Sequence, residues 1–162
     1  IRDHCVTGVQ TCALPIWENE VQVMSAGRGI VHSEKNAEND EAHLYQVWLL
    51  PQTRGIEPTY DQRTFPEDAR RGDWQLLVSG NPEDDALHIC QNVRISRRKL
   101  AANERVEVSI GEGRGHWIQV IHGELQVNDQ PLRTSDGIGL EETAAYTLVS
   151  HSESEILLFD LP

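Results

Sequence analysis

The stretch from Trp117 to Val127, with the sequence WIQVIHGELQV, decides the fold. Four aliphatic side chains alternate with other residues on either side of a central His122-Gly123 pair: Ile118, Val120, Leu125 and Val127. A period of two directs alternate side chains to one face of a strand, and a glycine suits a tight turn. The stretch therefore predicts two half-buried strands joined by a tight turn.

Other short runs rich in Val, Ile, Leu and Trp are bounded by turn-forming residues and predict further strands. They are Val21 to Met24, His43 to Leu50, Trp74 to Ser79, Arg105 to Ile110, Tyr146 to Val149 and Glu155 to Leu161. Helical signal is confined to one turn at Pro66 to Arg71. Many short strands separated by turns indicate an all-β sandwich or jelly roll. The Pro- and Gly-bearing region from Pro51 to Pro66 is the predicted linker between a short front part and a more complete second barrel.

Composition narrows the class of protein. A chain of 162 residues with 38% apolar content can form one full core and part of a second. The 26 acidic and 14 basic residues give a net charge of -12, which argues against direct binding to nucleic acid. No apolar run approaches the roughly 20 residues of a membrane helix, and no segment is typical of a signal peptide. We therefore expect a cytoplasmic protein. The three cysteines have no metal-type spacing and indicate neither a disulfide framework nor a zinc site.

Residues 1–16 resemble a translated sequencing adapter. The run Val6 to Ile16, VTGVQTCALPI, matches one reading frame of a widely used short-read adapter. A translated adapter carries no information about the native fold. We expect residues 1–16 to be non-native and the native protein to be truncated at about Trp17.

The residues that carry chemistry lie between Ser25 and Glu34, in the sequence SAGRGIVHSE. Gly27 and Gly29 permit a tight turn with positive dihedral angles, and His32 and Glu34 project to the same side of any strand. An imidazole and a carboxylate together can ligate a transition metal, but non-heme iron sites usually need at least two histidines and a carboxylate. On spacing alone, a salt-bridged surface pair and half of a metal site both remain open.

Several segments resemble the pirin family, in the same order along the chain. They are VQVMSAGRGIVHSEKN (21–36), HLYQVWLLP (43–51), GIEPTYDQRTF (55–65), GHWIQVIHGELQVN (115–128), TSDG (134–137) and SESEILLFDLP (152–162). The resemblance covers essentially all of residues 17–162 and is strongest to bacterial members similar to quercetin 2,3-dioxygenases. It implies a bicupin, in which two cupin-type jelly rolls face each other. Residues 17–56 would be a remnant of the first cupin domain, and residues 57–162 would hold the linker and the second.

The resemblance also implies a metal site in the first barrel, with one divalent metal, expected to be iron, held by three histidines and one glutamate. The last two ligands fall on His32 and Glu34, and the first two belong to an upstream His-x-His motif that residues 17–162 do not contain. Ligand type alone does not separate iron from manganese, nickel or copper. Because half of the inner coordination is missing, we expect this chain to bind iron poorly and to be inactive by itself.

Two functions remain open. In the first, the intact protein is an iron-dependent dioxygenase of a flavonol-like substrate, and Glu34 acts as a metal ligand or as a base toward the substrate hydroxyl. In the second, it is a non-catalytic metal-binding regulator that contacts a protein partner, as in transcriptional co-regulators. The intact HSE segment favours the enzyme. The true substrate and the oligomeric state are not specified by the sequence.

The other polar residues favour structural interpretations. We expect His116 and His122 to be structural histidines, His43 a framework residue, and His88 and His151 solvated. Cys90 is expected to be a small packed residue. The basic run Arg94, Arg97, Arg98 and Lys99 predicts the solvated face of a strand, with a partner contact as the alternative.

Overall fold

The computed structural model describes residues 12–36, 39, 41–66 and 73–162, and for residues 12–16, 34 and 35 it describes the backbone alone. Within these ranges the chain forms strands and no helix. Accordingly, no helix in the described part of the chain is long and apolar enough to cross a membrane. The helical turn predicted at Pro66 to Arg71 lies outside the described residues, apart from Pro66 itself.

Among the described residues before residue 66, four strands form two small sheets. They are β1 (Cys12–Ile16), β2 (Glu20–Ser25), β3 (His32–Asn36) and β4 (Thr59–Thr64). Strands β1 and β3 pair in parallel, and β2 and β4 pair in antiparallel fashion. β1 lies within the segment expected to be non-native, and the origin of that segment stays a prediction.

Ten strands follow residue 73 in the described chain. They are β5 (Gln75–Ser79), β6 (Leu87–His88), β7 (Arg94–Leu100), β8 (Arg105–Ser109), β9 (Gly115–His122), β10 (Glu124–Val127), β11 (Gln130–Arg133), β12 (Gly137–Leu140), β13 (Ala145–Ser150) and β14 (Ser154–Leu161). They form a four-stranded sheet in the order β11-β10-β13-β8 and a six-stranded sheet in the order β12-β9-β14-β7-β5-β6. Aliphatic residues from both sheets make one buried cluster between them, which confirms the predicted all-β sandwich.

The stretch WIQVIHGELQV crosses from one sheet to the other. Ile118, Val120, Leu125 and Val127 are each at most 1% exposed, so the predicted alternation is confirmed. Strand β9 belongs to the six-stranded sheet and β10 to the four-stranded sheet, and Gly123 makes the corner with a φ of 95°. A Cβ at Gly123 would lie 2.3 Å from the Ser154 hydroxyl, so glycine alone fits this corner.

The β2–β4 pair packs on the outer face of the six-stranded sheet. Val23 and Phe65 join a second buried cluster with residues of the sandwich such as Leu77, Ile95 and Phe159. The predicted linker from Pro51 to Pro66 is therefore wrong in part, because Thr59–Thr64 is a strand paired with β2. The composition of this region indicates a linker, but its backbone finds hydrogen-bonding partners in the front part of the chain.

The strand predicted at His43 to Leu50 does not form. Residues 41–50 have no regular secondary structure, and no strand in the described ranges pairs with them. A strand needs a hydrogen-bonded neighbour as well as an apolar alternation. Trp48 and Leu50 are consequently 88% and 86% exposed.

The solvated face predicted for the basic run is also wrong at two positions. Arg97 is buried, and it donates to Gln75 Oε1, to Asn19 Oδ1 and to the carbonyl oxygen of Phe65. Arg98 binds Glu104 at 2.8 Å and lies over the Trp74 ring. Arg97 thereby ties the front strands to the sandwich.

Candidate functional site

The turn before β3 is built on two glycines. Gly27 and Gly29 have φ values of 52° and 129°, and the amide of Gly29 donates to the carbonyl of Ala26 at 2.7 Å. A Cβ at Gly27 would lie 2.1 Å from the carbonyl oxygen of Ile56, so this position accepts only glycine. The turn predicted from SAGRGIVHSE is thus confirmed, and it directs the chain into β3.

Strand β3 carries both predicted metal ligands. His32 is half-buried and opposes Cys12 of β1, and the backbone of Glu34 opposes Leu14. Two positions apart on a strand, the two residues share a face. The side chain of Glu34 lies outside the described atoms, so the pairing of its carboxylate with the His32 imidazole stays a prediction.

These residues do not amount to a complete metal site. Among the side chains that the structure describes, no group of three or more His, Cys, Asp or Glu residues could hold a metal ion. Stable sites for iron and related metals use at least three protein donors. His32 and Glu34 would supply a pair of ligands, and a metal bound to them would need further donors.

A second polar cluster lies at one end of the sandwich and centres on His116, which is 6% exposed. Its Nδ1 lies 3.0 Å from the hydroxyl of Tyr146, and its Nε2 lies 3.7 Å from Asp160 Oδ1. Arg114 donates to the Asp160 carboxylate and to its backbone carbonyl at 2.9 Å. The arrangement lets the tyrosine hydroxyl donate to a neutral imidazole.

The protonation of this cluster is shifted by burial. Desolvation lowers the pKa of His116, and the Arg114 charge adds to that effect while Asp160 opposes it. Desolvation, together with the Asp160 charge, raises the pKa of Tyr146 far above its ordinary value. His116 is therefore a buried, hydrogen-bonded histidine, as expected for a structural role.

The remaining residues singled out from the sequence are not brought together. The side chains of His43, His88, His122 and His151 are exposed. Cys90 is half-buried and is a free thiol. The polar contacts of Arg97 could not be predicted from the neighbouring sequence, because its hydrogen-bond acceptors lie up to 78 residues away in the chain.

The paired sheets and the buried cluster between them place the chain in the cupin class. Residues 76–161 match a family model described as the quercetinase C-terminal cupin domain, and residues 13–49 match the model described as pirin. The chain belongs to the pirin family.

Curated relatives support this assignment. The chain is 42% identical over 144 residues to the quercetin 2,3-dioxygenase of Escherichia coli strain K12, covering 88% of this chain and 61% of the relative. It is 34% identical over 142 residues to a pirin-like protein of Caulobacter vibrioides, covering 87% and 61%. The chain thus spans about three fifths of the length of these relatives.

A solved structure is also similar. The bacterial pirin YhhW from Escherichia coli, crystallised in complex with nickel(II), superposes with a TM-score of 0.81 at 39% identity. The match covers 89% of this chain and 62% of that protein.

Proposed function

We propose that this chain is part of a pirin-type, metal-dependent cupin oxidoreductase that acts on a flavonol-like substrate. The observation that carries the proposal is the HSE segment at residues 32–34, which lies on β3 within the range matched by the pirin model. The 42% identity to a relative named quercetin 2,3-dioxygenase supports the substrate class.

In this proposal His32 and Glu34 contribute two positions of the coordination shell. The other donors are proposed to come from outside this chain, from the upstream His-x-His motif that the family resemblance implies. The nickel(II) in the solved structure of YhhW supports a divalent metal. Iron is the metal we propose for the working protein, and Glu34 is proposed as a ligand or as a base toward the substrate hydroxyl.

Metal titration tests the coordination. The test compares the 162-residue chain with a version extended at its amino terminus by the leading part of the Escherichia coli relative. We expect the 162-residue chain to bind Ni²⁺ more than about 100-fold more weakly, because a two-ligand site loses most of its chelate advantage. Isothermal titration calorimetry of both proteins measures the difference. In the extended version, His32→Ala should weaken binding strongly, and the matched variant His122→Ala, at an exposed histidine, should not.

A contradictory result would be one equivalent of Ni²⁺ held tightly by the unextended chain and lost in His32→Ala. That result would show that the residues of this chain suffice, against the assignment of only two ligands to this part of the protein.

Oxygen uptake tests the reaction. We expect the iron-loaded extended version to consume oxygen in the presence of quercetin, and Glu34→Gln to abolish this consumption. Full metal occupancy without turnover would contradict the dioxygenase and favour the non-catalytic, metal-binding regulator.

A further inference from the structure

Strand β12 (Gly137–Leu140) lies at one edge of the six-stranded sheet, and among the described strands it pairs with β9 alone. Proteins usually protect such an edge with charged side chains, a proline, a bulge or a covering segment. The sequence of β12, GIGL, contains neither a charged residue nor a proline. By contrast, β11 at an edge of the other sheet carries Pro131 and Arg133. The backbone of β12 is therefore available for pairing on its free side.

The register with β9 determines which backbone groups face this free side. The amide of Val120 in β9 donates to the carbonyl oxygen of Asp136 at 2.9 Å, and each following residue of β12 opposes the preceding residue of β9. Hydrogen-bonded and non-hydrogen-bonded positions alternate along an antiparallel pair. Ile138, two residues beyond Asp136, thus directs its N–H and C=O groups to β9. Gly137 and Gly139 direct theirs away from the sheet.

These outward groups are accessible on a strand that is itself held in place. Gly137 and Gly139 are exposed, and neither has a side chain that could shield its backbone. Ile138 and Leu140 alternate with them and pack against the buried cluster between the two sheets. The edge of β12 thereby presents two N–H donors and two C=O acceptors from an anchored strand.

Acidic side chains flank the edge at both ends. Asp136 precedes β12, Glu141 and Glu142 follow it, and all three are exposed. The Asp136 carboxylate accepts a hydrogen bond from the Arg133 amide at 2.9 Å, which fixes its position. None of the ion pairs between described residues includes any of the three carboxylates. At roughly 3.3 Å per residue, Asp136 and Glu141 place negative charge about 17 Å apart along the strand.

This charge pattern disfavours a second copy of the chain as the partner. If two β12 strands paired in antiparallel fashion about an axis between Ile138 and Gly139, each Asp136 would oppose a Glu141. Like charges that oppose each other directly destabilise a strand pair. The net charge of -12 on each copy adds to the repulsion. The edge is instead complementary to a segment that carries a positive charge at each end.

We propose that the free edge of β12 binds an extended segment of another protein that has a basic residue at each end, by addition of a strand to the six-stranded sheet. In strand addition, main-chain hydrogen bonds give affinity and side chains give specificity. Gly137 and Gly139 supply the hydrogen-bonding groups. Asp136 and Glu141 select lysine or arginine on either side of about four intervening residues. The site goes beyond the proposed function, because it requires no metal and uses neither predicted metal ligand.

Nuclear magnetic resonance of the ¹⁵N-labelled, EDTA-treated chain tests the proposal. The probe is a capped six-residue peptide with arginine at each end and alternating threonine and valine between them. At low salt we expect saturable shifts of the Gly137 and Gly139 amide signals, with a Kd of about 0.3 to 3 mM for so short a segment. The matched peptide with glutamate at each end should bind at least about tenfold more weakly. Omitting metal separates this result from the test of the proposed function.

Two variants of Gly139 test the backbone contacts. Gly139→Pro removes an outward N–H group without removing a hydrogen bond to β9, and should weaken binding of the arginine peptide at least about fivefold. Gly139→Ala is the matched control, because it adds a Cβ but keeps the N–H group. That Cβ would lie 3.5 Å from Cε3 of Trp117, an ordinary contact, so the affinity should stay within about twofold of the unaltered chain.

A double variant tests the charges. Asp136→Asn with Glu141→Gln should weaken binding of the arginine peptide about fivefold at low salt and remove most of its advantage over the glutamate peptide. Glu107→Gln with Asp129→Asn makes the same change in net charge at exposed positions away from β12, and should leave the affinity within about twofold.

Three outcomes would overturn the proposal: no saturable binding of the arginine peptide, equal affinity for the glutamate peptide, or amide shifts confined to residues away from β12. Equal affinities in the two Gly139 variants would overturn it as well. Circular dichroism identifies any variant that fails to fold. The charge variant leaves the backbone of β12 unchanged, so it decides the matter even where Gly139→Pro does not fold.

Discussion

His116 illustrates how burial controls charge in this protein. His116 is 6% exposed, and its imidazole lies beside the Tyr146 hydroxyl and the Asp160 carboxylate. The same carboxylate accepts a hydrogen bond from the guanidinium of Arg114. Desolvation lowers its pKa below the ordinary 6.5. As the pH falls through 6.5, the unfolded chain takes up a proton that the folded chain resists, so folding loses stability.

We therefore predict that His116→Gln is less sensitive to acid than the unaltered chain. The free energy of unfolding of the unaltered chain should fall relative to that of the variant by at most about 1.4 kcal/mol per pH unit below 6.5, with no relative change above it. Urea denaturation between pH 8 and pH 5 measures the difference. Parallel pH profiles would contradict the prediction.

Arg97 is the residue through which the front strands are fastened to the sandwich. Its guanidinium donates to Asn19, to Gln75 and to the carbonyl of Phe65, and lies 3.6 Å from Glu155. The planar fork of an arginine can reach several acceptors at once, which a lysine cannot.

Arg97→Lys should lower the free energy of unfolding by at least about 2 kcal/mol, because buried acceptors lose their donors. Arg105→Lys is the matched control, since Arg105 is exposed and makes one hydrogen bond to Thr147, and it should cost no more than about 0.5 kcal/mol. Urea denaturation distinguishes the two. Equal effects would show that the buried contacts of Arg97 do not stabilise the fold.

At the scale of elements, the corner between β9 and β10 depends on Gly123. Its φ is 95°, and an added Cβ would lie 2.5 Å from the carbonyl oxygen of Glu153. Gly113 also has a positive φ, of 70°, but nothing lies within 4 Å of its Cβ position. Substitution of Gly113 would therefore introduce backbone strain alone, whereas substitution of Gly123 would introduce backbone strain and steric crowding.

Gly123→Ala should destabilise the protein by at least about 2 kcal/mol more than Gly113→Ala. The latter should cost about 1 kcal/mol, the strain of a left-handed conformation alone. Thermal unfolding followed by circular dichroism compares the two variants. A smaller loss in Gly123→Ala would mean that the corner relaxes away from Ser154.

At the scale of the whole molecule, exposed apolar residues and net charge have opposite effects on self-association. Trp48 and Leu50 are almost fully exposed on a segment without regular secondary structure, with which no described strand pairs. Such a surface favours self-association, whereas a net charge of -12 opposes it.

We predict concentration-dependent association that becomes stronger as salt screens the repulsion. The double variant Trp48→Gln, Leu50→Gln should remain monomeric under conditions in which the matched control Trp17→Gln, at a residue 40% exposed, associates like the unaltered chain. Sedimentation velocity at low and at moderate salt measures the mass. Association that weakens with added salt would contradict this account.

Much of the second barrel was predictable from the sequence, because alternation is a local property. Ile118 and Val120 show which face of a strand is buried, and Gly123 shows where the strand ends. The same rule was wrong at His43 to Leu50, where the alternation is present but a hydrogen-bonded neighbour is not. A pattern within one strand carries no information about its partner.

The candidate metal site was likewise predictable only in part from the sequence. The residue types and the two-residue spacing of His32 and Glu34 indicate metal ligation, and the family resemblance supplies the role of each. Whether further donors complete the site depends on residues distant in sequence. Among the side chains that the structure describes, which do not include Glu34, no group of three or more possible donors occurs.

The amino-acid sequence by itself determined the all-β class, the buried faces of β9 and β10 and the glycine turns, since these follow from short-range sterics and from the apolar period. Only the tertiary structure decided that β9 and β10 join different sheets and that Arg97 is buried. Those features depend on pairs of residues far apart in the chain, and folding alone brings them into contact.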